Sequence, residues 1–235
     1  MLYSPYKFAK EGIKLKIFTK LTSLLLVIAV FFGIFALPVA AADASAEDEI
    51  VDDPIVARMY VGHNERYRSL SGHTWIYIEN LTDHSIQVGA YTVKKGKGVS
   101  VGTFGTSLAD GVGLYYNVEA WRYRNYDVTE YIHLSKEITQ SQLEIVSNKI
   151  INGGTWSYIL NCAYFAFGVW NSVPGKPLIF LFFPTLHELQ ILLYMSHGAG
   201  IAMTVPKSDE IFKQIGKGDD AFLVVTDPSF VEDDA

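Results

Sequence analysis

Between residues 55 and 134, apolar and polar positions alternate in short runs broken by turn residues, which is the period of half-buried strands. Strands are expected near 56–62, 73–79, 85–93, 98–103, 113–120 and 128–134, and their Tyr, Val, Ile, Thr and Trp suit a pleated surface. The clearest run is His73-Thr74-Trp75-Ile76-Tyr77-Ile78; residues 80–83 then supply a turn, and Ser85-Ile86-Gln87-Val88 begins a return strand. Beyond residue 138 the period becomes helical. Thr139-Gln140-Ser141-Gln142 has the spacing of a capping box, with Ile138 and Leu143 as its hydrophobic staple and Val146 and Ile150 continuing the apolar face up to Asn152-Gly153-Gly154. A second helix is expected from Asn161, as N-cap, to about 171, and a third behind Thr185-Leu186-His187-Glu188 as far as Gly198. A short helix at 209–215 and a strand at 221–225 complete the expectation. Strands first and helices later predict an α+β domain, an antiparallel sheet followed by packed helices. Gly96, Gly98, Gly102 and Gly105 read as turn and bulge residues, because no helix start follows them to cradle a phosphate.

One run does not fit a soluble domain. Residues 21–42 carry no charge, five lysines stand just before them, Pro38 breaks the run, and Val39-Ala40-Ala41 offers small residues for cleavage. The expected organisation is a signal peptide or N-terminal anchor at 1–41, an acidic spacer at 42–54, a folded domain at 55–200 and a C-terminal extension at 201–235. The body is then delivered outside the cytoplasm, secreted or at the cell surface, and meets the membrane only through the N-terminal segment if that stays uncleaved. The whole chain of 235 residues has a net charge of -6. Residues 1–41 hold five lysines against one acid, so the other 14 basic and 24 acidic side chains leave the body near -10. Such a field repels polyanions, and the cluster Lys94-Lys95-Gly96-Lys97 is too short to reverse it, so nucleic acid is not an expected partner.

Export makes the single cysteine informative, because it forms no internal bridge. Cys162 is a buried inert thiol, an intermolecular link or a reactive nucleophile. If Asn161 caps the helix, the thiol lies in the first turn, where unpaired amides and the helix dipole favour thiolate and can hydrogen-bond an oxyanion. The aromatic neighbours Tyr164, Phe165 and Phe167 equally suit a buried core cysteine. A thiol nucleophile needs a base, and of His63, His73, His84, His133, His187 and His197, His73 is the best placed, opening a patterned strand directly after Ser71-Gly72. His63 is second. His84 in the turn, and His187 and His197 near helix ends, read as surface residues. No cluster has metal-ligand spacing, so neither metal nor other cofactor is expected. Asn80-Leu81-Thr82 matches a glycosylation sequon, a triplet that also arises by chance.

A strand beginning Gly72-His73-Thr74-Trp75-Ile76-Tyr77-Ile78, followed downstream by Leu160-Asn161-Cys162-Ala163-Tyr164-Phe165-Ala166 on a helix start, resembles the circularly permuted papain-like proteins of the NlpC/P60 superfamily. Phe183-Pro184-Thr185-Leu186-His187-Glu188-Leu189 is similar to the Pro-x-x-Leu segment found after the cysteine helix in that group. The resemblance spans about residues 56–196. It implies Cys162 as nucleophile, His73 as base, and a third polar residue on the strand after the histidine strand. Pairing the hairpin about Thr82 brings residues 89–92 opposite His73, so Tyr91 and Thr92, or Gln87 if the register slips, are the orienting candidates. The implied activity is hydrolysis of an amide bond in a peptide or cell-wall substrate such as peptidoglycan, with acyl transfer to lipid as the sibling reaction. The alternative is a catalytically silent binding module using Trp121, Tyr123 and Tyr126, alternating with Arg122 and Arg124.

Overall fold

The computed structural model describes residues 52–64, 73–105, 113–125, 132–157, 160–180, 184–195 and 210–226, all within the unit Asp52–Ala235. The expected export segment, Tyr126 and His197 lie outside these residues. Among the described residues no helix is long and apolar enough to cross a membrane.

The expected alternation builds an antiparallel sheet of seven strands in the order β7-β1-β2-β5-β6-β8-β9. These are β1 (Ile55–Asn64), β2 (His73–Asn80), β5 (Gly98–Phe104), β6 (Gly113–Tyr116), β7 (Ile132–Thr139), β8 (Ile211–Ile215) and β9 (Phe222–Thr226). The pairs Met59↔Ile78, Val61↔Ile76, Ile76↔Val101 and Val101↔Tyr116 put one apolar set on a single face. Against it pack α2 (Gln140–Ile151), through Leu143, Val146 and Ile150, and α3 (Cys162–Trp170), through Phe165, Ala166 and Val169. The opposite face carries His73, Trp75 and Tyr77 of β2 with Gly102 and Phe104 of β5, since side chains alternate. There Tyr115, Val118, Trp121 and Ile211 form a second, smaller core beneath α1 (Val118–Asn125). The protein is therefore α+β, with helices on both faces of the sheet.

Capping chemistry acts as the sequence predicts at two helices. Thr139 and Gln142 close a reciprocal capping box at α2, and α3 begins after Asn161. The fourth helix, α4 (Pro184–Met195), starts one residue before Thr185, with the proline in its first turn, where its missing N–H costs nothing.

Three expectations are corrected. Residues 85–93 do not return along β2; β3 (Ile86–Val88) and β4 (Tyr91–Val93) turn on Gly89, at φ 56°, and pair only with each other as a separate hairpin. Residues 118–125 are helix, not strand, because Asn117 enters the left-handed region at φ 67° and ends β6. Residues 211–215 are strand, not helix, since β6 offers them an open edge, with Tyr115↔Lys213 and Tyr116↔Phe212. Asn80 of the sequon is buried; its amide donates to the carbonyls of His84 and Val93, and its oxygen accepts from Thr82.

Candidate active site

Three elements converge on the start of β2. Asn161 takes an extended conformation and its Oδ1 accepts from the amides of Ala163 at 3.1 Å and Tyr164 at 3.3 Å, so the chain turns into α3 at Cys162. The Cys162 thiol is half-buried beside the His73 ring, near enough for each group to shift the other's titration, and the backbones of Thr74 and Ala163 favour its charged form. The Cys162 amide itself has no hydrogen-bond partner among the described residues. His73 is the first residue of β2, and a thiol from the start of α3 and a carboxylate from α1 both act on its ring.

That carboxylate is Glu119 in the first turn of α1. Its Oε1 lies 3.0 Å from His73 Nε2. Glu119 is wholly buried. Burial pushes its carboxyl up, but the His73 contact outweighs this and holds it below the usual carboxylate value, helped by Ser100 and Arg122. Ser100 helps at more than close hydrogen-bond distance, since neither its hydroxyl nor Glu119 Oε2 has a partner within that range.

The other two groups shift together. Burial pushes the Cys162 thiol up, yet the adjacent His73 ring and the two backbone contacts bring it below its ordinary value. Burial likewise disfavours the charged imidazole, and the Cys162 and Glu119 contacts overcome it, raising His73 to about 9. Both shifts favour a thiolate beside an imidazolium, with the buried carboxylate favouring the charged ring.

Cys162, His73 and Asn161 thus come together, and the sequence-based orienting candidates do not join them. Tyr91 stacks on Tyr116 with centroids 6.0 Å apart, while the Gln87 side chain accepts from Thr92 at 2.9 Å and donates to the Gly89 carbonyl. All three are occupied in the small hairpin, because β2 pairs with β5 rather than with residues 85–93. Of the remaining histidines, His63 is buried with Nδ1 2.9 Å from the Thr74 hydroxyl, His84 is exposed beside Asp83, and His133 is buried against Tyr60. His187 is a core residue rather than a surface one, packed between Phe167 and Phe180.

Glu119 is the residue that sequence reasoning missed. The one signal for it was Asn117 followed by an acid in a first turn, hidden because Gly113-Leu114-Tyr115-Tyr116-Asn117-Val118 runs on like a strand. No group of three or more His, Cys, Asp or Glu side chains that could hold a metal occurs among the described residues. In comparisons with family models, curated proteins and solved structures, the chain matches none.

Proposed function

We propose that this protein is an exported thiol-dependent hydrolase of amide bonds, of the permuted papain-like kind, acting on peptides such as those of peptidoglycan. The reading is carried by one observation: the lone cysteine, at a capped helix start, lies beside a histidine whose Nε2 is 3.0 Å from a buried glutamate.

In this reading the Cys162 thiolate attacks the carbonyl carbon, forming a C–S bond and moving the carbonyl electron pair onto oxygen. The free Cys162 amide stabilises that oxyanion. The His73 imidazolium gives its proton to the amide nitrogen, the C–N bond breaks and the amine leaves. Water then adds to the thioester while His73 takes its proton, the C–S bond breaks, and the carboxylic acid departs. Glu119 keeps the ring oriented and stabilises its charge throughout, the part an acid plays behind a catalytic histidine.

The binding-module alternative loses its main anchor, because Trp121 is buried in the second core instead of offered to a ligand. The test is hydrolysis of amide-linked cell-wall peptides by the full chain and by Cys162→Ser and His73→Ala. Each variant should lose roughly a thousandfold or more of the rate, and the double variant little beyond either alone, since all three stop the same step. Turnover by Cys162→Ser at the wild-type rate would sink the proposal.

A further inference from the structure

The base has a second source of orientation that is not a hydrogen bond. β5 presents Ser100, Gly102 and Phe104 to the face that carries His73. The Phe104 ring stacks on the imidazole with centroids 4.4 Å apart and planes 30° apart, and Tyr115 meets Phe104 edge-on at 5.7 Å. Two residues earlier the strand leaves a gap. A Cβ at Gly102 would stand 3.0 Å from His73 Nε2 and 3.4 Å from Cε1, and Nε2 is the atom that reaches Glu119. Backbone conformation does not call for glycine here, since Gly102 is not among the residues with positive φ. What calls for it is the close approach of the ring.

We propose that Gly102 is a positioning residue for the reaction assigned above: its missing side chain lets the His73 ring lie against β5 with Nε2 on Glu119, and Phe104 forms the wall that holds it there. A methyl group at 102 pushes Nε2 away from the carboxylate, because the strand backbone is tied to β6 at Gly102↔Tyr115 and to β2 one residue earlier, at Ile76↔Val101. Among the described residues, the ionisable groups facing the ring include Cys162 from α3 and Glu119 from α1, with Arg122 acting through Glu119. None of the three β5 residues on this face is acidic, basic or otherwise able to titrate near neutrality. Any change that Gly102→Ala makes in the titration of His73 therefore reports the ring's position.

The proposal rests on the hydrolase reading, and alkylation separates the two without a substrate. Iodoacetate, an anion, reacts with a thiolate and is drawn to an imidazolium, so its rate against pH shows a rising limb from Cys162 and a falling limb from His73. The wild type should fall near pH 9. Gly102→Ala should move that falling limb down by about one unit or more, through the weakened contact with an anion. On substrate it should lose roughly 100-fold in kcat with KM little changed. Superimposable profiles from a folded Gly102→Ala would overturn the proposal. A wild type with the profile of an ordinary thiol would instead sink the hydrolase reading, and the role of Gly102 with it. If Gly102→Ala does not fold, the His73→Ala background decides: with the ring gone the methyl should be tolerated, and His73→Ala/Gly102→Ala should melt where His73→Ala does. A double variant that still fails to fold places the need for glycine elsewhere and overturns the proposal.

Discussion

His73 is held charged by neighbours against the tendency of burial, and this fixes a pH window. Its folded pKa of about 9 lies above the unfolded value near 6.5, so its contribution to stability is full below about pH 6.5 and disappears as pH rises through about 9. The Cys162 shift is opposite in sign, so its contribution is present above the ordinary thiol value of about 8.5 and declines as pH falls through the depressed folded value. The thiolate–imidazolium pair is lost as pH rises through the folded His73 value, so hydrolysis should fall above about pH 9. A pH–rate profile still rising through pH 9.5 would contradict this. Glu119→Gln keeps the side chain's shape and removes its charge, so the falling limb should move down and the rate should drop about 100- to 10,000-fold. Its melting temperature should fall as well, because the buried His73 ring loses the carboxylate that favours its charge; calorimetry beside kinetics separates the two effects. At this scale Cys162, His73 and Asn161 were legible because each sits beside a local signal, a helix cap or the head of an alternating strand. Glu119 was not, because it meets His73 across 46 residues of chain and only folding defines that contact.

Elements were legible where one signal dominated. The α2 capping box and the alternation of β2 are properties of a few adjacent residues, and both were read from them. Where two elements compete for one segment, the outcome is set from outside it. Residues 85–93 look like a return strand for β2, yet β5 takes that edge, and Gly89 folds the segment onto itself against α2, its amide donating to the Ser147 hydroxyl at 2.8 Å. Residues 211–215 are likewise a strand only because β6 is there to pair with. The helix that carries the thiol is short, nine residues, so its cap matters in proportion. Asn161→Ala removes the acceptor for two amides and should cost about 1 kcal/mol in denaturant unfolding. Because the same cap sets the first turn, rapid alkylation at neutral pH should slow in the variant, though far less than in His73→Ala. Equal losses in the two would mean that the cap, not the histidine, sustains the thiolate.

At the scale of the whole molecule, the C-terminal residues expected as an extension beyond 200 contribute β8 and β9 to the main sheet, next to β6. Gln214 of β8 is the tie. Its Oε1 accepts from the Tyr116 hydroxyl at 2.8 Å and its amide donates to the Ile151 carbonyl at the end of α2, while the Tyr116 hydroxyl also accepts from the Ala90 amide of the small hairpin. One buried cluster thus joins the sheet, α2 and the β3–β4 turn, and no local pattern announces it, because its members lie 98 residues apart. Truncation after residue 209 would bare the edge of β6, uncover Tyr115 and Tyr116, and leave the Tyr116 hydroxyl and the Ile151 carbonyl short of partners, at about 1–3 kcal/mol for each stranded group. With lost apolar burial from Ile211 and Phe212 added, the sum rivals the roughly 5–15 kcal/mol that holds a domain folded. The truncated chain should therefore lose cooperative thermal unfolding and, with it, selective alkylation of Cys162, although the cut lies 47 residues beyond the thiol. A truncated chain that melts as sharply and as high as the full one would show that β8 and β9 lean on a finished domain. Gln214→Leu offers the milder version: the sheet stays complete, and only the tie is lost. Its cost should come to a few kcal/mol in denaturant, with alkylation of Cys162 unchanged, because Tyr116 points to the α2 face and His73 to the other.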